Sequence, residues 1–130
     1  VAKGYDTLSE KFKVIYLKHE AQHFSDYKHF PGLASRDLEY RGKLIEMAFC
    51  ETELYNRLFY FINNAKDDPE NAHPHANYRI VHTMSQKIFN KNYVSDFEKW
   101  KKIPLEKMHN IDRELYAENT AALKNAKKIN

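Results

Sequence analysis

The sequence predicts an all-α fold, about five helices gathered in a bundle. Apolar residues recur at helical spacings of three and four through most of the chain. Only 3 Gly and 4 Pro occur in 130 residues, few for a β-rich chain that must turn every ~8–12 residues. Two patterns of Ser or Thr followed three residues later by Glu stand where helices would open, pairing a hydroxyl and a carboxylate with the free amides of a first turn.

Thr7-Leu8-Ser9-Glu10 is the first such capping box. The helix it opens carries Leu8, Phe12, Ile15, His19 and His23 on one stripe and is expected to fray near residues 26–28. Phe30-Pro31-Gly32 ends it, because Pro disfavours a helical residue before it and Gly admits positive φ. Ser35 is the expected N-cap of a second helix, with Asp37 and Glu39 in its first turn, where the helix dipole favours anions. Leu38, Ile45, Phe49, Thr52, Tyr55, Phe59 and Ile62 extend that stripe, so one helix of about eight turns is expected. Residues 63–76, with Pro69 and Pro74, are expected as a polar loop. A third helix follows through Ile80, Val81, Met84 and Ile88 and stops at Asn90-Lys91-Asn92. Ser95-x-x-Glu98 opens a short helix with Phe97 and Trp100. Pro104 suits the first position of a last helix, where its missing N–H costs nothing. Leu105, Met108, Ile111, Leu115, Ala122 and Leu123 form the apolar side of that helix, and residues 121–130 are expected to fray.

The composition narrows function. Hydrophobic residues are 42% and charged residues 30%, the balance of a globular chain. No apolar run approaches the roughly 20 residues of a membrane span. The charge of +3, from 21 basic and 18 acidic residues, is too even to argue for a nucleic-acid partner. The single Cys50 excludes an intrachain disulfide or a Cys-built zinc knuckle. Seven His stand out instead, because His binds metals and moves protons.

Two of those His belong to His19-Glu20-Ala21-Gln22-His23 on the first helix. At i and i+4 the two imidazoles share a face and reach one metal ion, while Glu20 projects beside it to accept a proton from an activated water. Such a water, its pKa lowered to about 7, is a nucleophile at neutral pH. A catalytic zinc needs a third protein ligand. Asp26 lies too far along the helix axis from the pair. His29, six residues past His23, requires a left-handed turn where Asp26 stands. Glu39 sits about one turn into the second helix, level with His23 if the chain doubles back through Phe30-Pro31-Gly32. Glu39 is the preferred ligand and His29 the reserve. Glu46, two turns further on, is expected nearer the level of Tyr16.

His19-Glu20-Ala21-Gln22-His23 followed by Asp37-Leu38-Glu39-Tyr40-Arg41-Gly42 resembles the gluzincin type of zinc metallopeptidase. The resemblance covers about residues 8–50. It implies that His19, His23 and Glu39 hold zinc (Zn2+) and that Glu20 is the general base for peptide-bond hydrolysis. In that family a small residue often follows the ligand Glu by three positions where helices pack closely, and Gly42 stands there. A β-sheet ordinarily precedes the active helix and binds the substrate backbone, yet 18 residues precede His19, too few for it. The chain is therefore expected to be the C-terminal helical half of a longer catalytic domain or to have its cleft completed by another chain. Either predicts one exposed apolar surface, and the substrate is expected to be a peptide or protein.

The remaining candidates have plainer readings. Phe49, Tyr55, Phe59, Tyr60 and Phe61 are expected in the core. Tyr78, Arg79 and His82 are candidates for stabilising an oxyanion, with an ordinary amphipathic helix as the simpler expectation. His73 and His75 are expected in an exposed loop. The alternative to a peptidase is a non-catalytic helical module that binds metal or a protein partner.

Overall fold

The computed structural model describes residues 9–129. All its regular structure is helical, and no strand occurs among the described residues. A π-helical stretch, Lys11–Lys18, runs directly into α1, His19–His29. The others are α2 (Ser35–Phe49), α3 (Leu54–Asn63), α4 (Ala72–Phe89), α5 (Phe97–Lys101) and α6 (Leu105–Ile129). No helix is long and apolar enough to cross a membrane.

The centre of the bundle is α2, packed against α1 on one side and against α4 and α6 on others. Leu44 and Met47 join Leu58, Ile80, Met84 and Met108 in the apolar core. A helix enclosed this way must bury polar residues as well. On α2 these are Arg41, Lys43 and Glu46. Such groups are stable only when paired or held by a ligand.

Several boundaries differ from the sequence expectation. The long helix expected over residues 35–62 is two helices, broken where Cys50 adopts an extended backbone. The Glu10 carboxylate causes the second start, accepting hydrogen bonds from the amides of Glu51, Thr52 and Glu53 at 3.1, 3.3 and 2.6 Å. These bonds hold the Glu10 carboxyl below its usual range although its partial burial pulls the other way. Glu10 thus caps a helix distant in sequence rather than its own. Ser9 Oγ accepts from the amide of Phe12 at 3.1 Å; the Thr7 and Leu8 of the expected box lie outside the described residues.

The expected loop over residues 63–76 ends early, because α4 begins at Ala72 with Pro74 in its first turn. There the missing N–H is one that no helix would use. Asp96, not Ser95, caps α5, accepting from the amide of Glu98 at 3.1 Å. The last helix continues to Ile129 rather than fraying at 121. The turn at Pro31-Gly32 matches expectation, with Gly32 at φ 85°, and doubles α1 back against α2.

Candidate metal centre

That hairpin brings the two imidazoles of α1 onto one carboxylate of α2. His19 Nε2 lies 3.0 Å from Glu39 Oε1, and His23 Nε2 lies 2.9 Å from Glu39 Oε2. The rings stand edge to face, with centroids 4.5 Å apart. His19, His23 and Glu39 are the one such cluster among the described residues whose donor atoms all lie within 4.8 Å of one another.

The residues present fit a zinc ion. Two imidazole nitrogens and a carboxylate are a donor set zinc takes, each at about 2.0–2.2 Å. Gly42 is what lets His19 reach this position. A Cβ on Gly42 would lie 2.9 Å from ring atoms Cε1 and Nε2 of His19, closer than real contacts allow. On the far side of the same ring, Nδ1 meets Glu46 Oε1 at 2.5 Å. A carboxylate behind a ligating His fixes its tautomer and ring orientation and raises its basicity. Arg57 in turn donates from Nη2 to Glu46 Oε2 at 3.2 Å.

Electrostatics follow from this packing. Burial by itself would lower the pKa of His19, but the Glu39 and Glu46 carboxylates on its two nitrogens raise it to about 9. Burial likewise works to raise Glu39, and the hydrogen bonds from His19 and His23 overcome it and hold that carboxyl far below its ordinary value. Nδ1 of His23 is buried with no hydrogen-bond partner among the described residues, so Nε2 makes the hydrogen bond recorded for that ring.

His73, expected in an exposed loop, is exposed as expected but stands on the first turn of α4, with Nδ1 3.2 Å from Glu39 Oε1. Glu20 is exposed and shares the wall of a cavity of about 270 Å³ with His19, Lys43, Glu46, Arg57 and His73. Glu46 lies behind His19 rather than nearer Tyr16, because α1 and α2 cross closely at Gly42.

Other candidates lie elsewhere. His29, the reserve ligand, faces the Ser25 carbonyl at 2.9 Å. Asp26 is paired with Arg41. Arg79 pairs with Asp37 at 2.7 Å and covers the Tyr40 ring. His82 meets the Asn92 carbonyl at 2.7 Å, and Tyr78 stacks against His82 and Tyr93. None of the three reaches Glu39, so the oxyanion roles considered for Tyr78, Arg79 and His82 are without support. His75 approaches Asp67 at 3.7 Å.

Of the five aromatics expected in the core, Phe61 is buried and Tyr55 half-buried, while Phe49, Phe59 and Tyr60 are about half exposed. Exposed apolar side chains also follow the first helical segment, where Tyr16, Leu17, Phe24 and Tyr27 are all open to solvent. Phe24, four residues beyond Glu20, is 76% exposed. Comparison with known proteins adds no relative: no protein-family model, no curated protein and no solved structure matches this chain.

Proposed function

We propose that the chain is the metal-holding helical part of a zinc-dependent peptidase of gluzincin type. The reading assigns His19, His23 and Glu39 to the ion and Glu20 to general-base catalysis. The observation that carries it is the convergence of both Nε2 atoms on the two oxygens of one carboxylate, with Glu20 in the wall of the adjoining cavity. Zinc held there would polarise the scissile carbonyl and bring the pKa of the attacking water to about 7.

The protein's own groups supply the rest. Glu20 takes the proton of that water and delivers it to the leaving amine. Glu46 keeps the His19 ring in register through Nδ1. His73, at the mouth of the cavity beside Glu39, is the ring placed to donate to the carbonyl oxygen as charge develops. The exposed Phe24 and Tyr27, four and seven residues past Glu20, give α1 an apolar outer face. In this reading a peptide substrate, or an upstream domain or second chain completing the cleft, meets the chain along that face.

The test is Glu20→Gln in the intact protein. Elemental analysis is expected to find one zinc in both forms, and peptide hydrolysis to fall by about 10²–10⁴-fold in the variant. Unchanged hydrolysis would discard Glu20 as the base. A wild-type protein without stoichiometric zinc would leave the non-catalytic interaction module as the better description.

A further inference from the structure

The cavity beside the candidate metal centre contains a cation that the protein leaves unpaired. Lys43 projects from α2 and is only 4% exposed, yet it lines this cavity of about 270 Å³. Its ammonium has neither a hydrogen bond nor an ion pair among the described residues, and it lies over the Phe61 ring, 5.1 Å from the ring centroid. The stem of Lys43 is buried while its ammonium is open to the cavity, the arrangement of a long cationic side chain that covers apolar surface and keeps its charge wet. Burial lowers the pKa of Lys43, and Glu46 and Glu39 act against that shift, so charge of the opposite sign is near without touching it. In the same wall Arg57 spends Nη2 on Glu46, while its Nε is buried without a partner. Asn77 Oδ1 is buried and unpartnered there too.

The charge balance points the same way. Around the cavity and its edge the carboxylates of Glu20, Glu39 and Glu46 face the cations of Lys43 and Arg57. A divalent ion on His19, His23 and Glu39 would leave one net positive charge. A single anionic group neutralises it.

We propose that this cavity binds a carboxylate of the peptide substrate through the Lys43 ammonium, next to the scissile bond. The inference rests on the peptidase reading and names the feature of the substrate it selects. The carboxylate belongs either to the free C-terminus of the peptide or to an Asp or Glu side chain near the cleaved bond. An ammonium–carboxylate contact is a charge-assisted hydrogen bond, and Lys43 offers it without breaking any hydrogen bond or ion pair recorded among the described residues.

The experiment measures binding to the zinc-loaded Glu20→Gln protein by calorimetry. The probes are N-acetyl-Ala-Ala, its C-terminal amide, and N-acetyl-Ala-Glu amide. One of the two acids is expected to bind at least about tenfold more tightly than the neutral amide, and which one it is identifies the source of the carboxylate. In Lys43→Met, which keeps the aliphatic stem over Phe61, that preference is expected to vanish with zinc content unchanged, and Lys43→Arg to restore part of it. Equal binding of all three probes by the parent protein overturns the proposal without reference to any variant. A preference that survives Lys43→Met overturns it as well, since the ion itself would then hold the acid. The two readings fail separately. Carboxylate preference without hydrolysis by the wild-type protein keeps this site and removes the peptidase. Hydrolysis of acids and amides at equal kcat/KM keeps the peptidase and removes this site.

Discussion

Two buried polar clusters sit a few residues apart on the α1–α2 hairpin, and they differ in what they leave unused. In the first, Arg41 donates from Nε to both oxygens of Asp26 at 3.1 and 3.0 Å. Its Nη1 reaches Asn119 and Thr120 at 2.9 Å each, and its Nη2 reaches the Tyr116 hydroxyl at 3.0 Å. Gln22 bonds both Asp26 and Tyr116, and the rings of Phe30 and Tyr116 lie against the guanidinium. A wider cavity of about 370 Å³ opens beside this cluster, but every nitrogen of Arg41 is already engaged. In the second cluster His19, His23 and Glu46 are buried and Glu39 half-buried, yet among the described residues Nδ1 of His23 has no hydrogen-bond partner, Lys43 has no ion pair, and Gly42 opens space for an imidazole. Burial of charge therefore does not distinguish the two clusters. Donor atoms converging on one point with bonding capacity to spare do. The first cluster ties α1 to α2 and α6, and the second converges on a point where a cation fits.

The sharpest way to break this contrast is Arg41→Met. It leaves Asp26 buried without its cation, and the expected loss is about 3–5 kcal/mol, read from the midpoint of urea unfolding. The zinc affinity of the folded fraction should hardly change. If zinc binding fell as steeply as stability, the two clusters would be one cooperative unit.

A third buried carboxylate sets the scale for having no partner at all. Asp112 is fully enclosed on α6, both its oxygens lack hydrogen bonds among the described residues, and burial drives its pKa well above the ordinary value. The folded protein therefore keeps a proton that the unfolded chain releases near pH 4, so this residue makes stability fall as pH rises above about 4. Asp112→Asn is expected to be more stable than wild type by about 1–3 kcal/mol at pH 8, the difference closing below pH 4. A constant offset between pH 4 and pH 8 would show that Asp112 finds a partner in solution.

The smallest effect is expected from Glu46→Gln, which keeps the shape behind His19 and removes the charge. Zinc affinity should fall about tenfold, measured by competition with a chelator, while the unfolding midpoint without metal moves little. An unchanged affinity would reduce Glu46 to a packing residue.

Much of this was legible along single helices. The all-α class, the turn at Pro31-Gly32 and the shared face of His19 and His23 each follow from spacings within one segment. Glu39 was reachable because a hairpin with a short turn sets the levels of its two helices. Rise per residue alone puts Glu46 about one turn from its place, because the close crossing of α1 and α2 at Gly42 leaves no trace in it. His73 was hidden behind two prolines that suggested a loop, and the only signal against that was the tolerance of a helix's first turn for Pro.

By itself the sequence determined the helical class, the turn at Pro31-Gly32 and which face of α1 carries the imidazoles, because periodicity and turn chemistry act over a few residues. Tertiary structure alone decided that Glu10 breaks the long helix, that Glu46 backs His19, and that Lys43 lines the cavity with no ion pair among the described residues. Those contacts depend on the distance and crossing of helices far apart in the chain, which the packing of the whole core sets and no local pattern encodes.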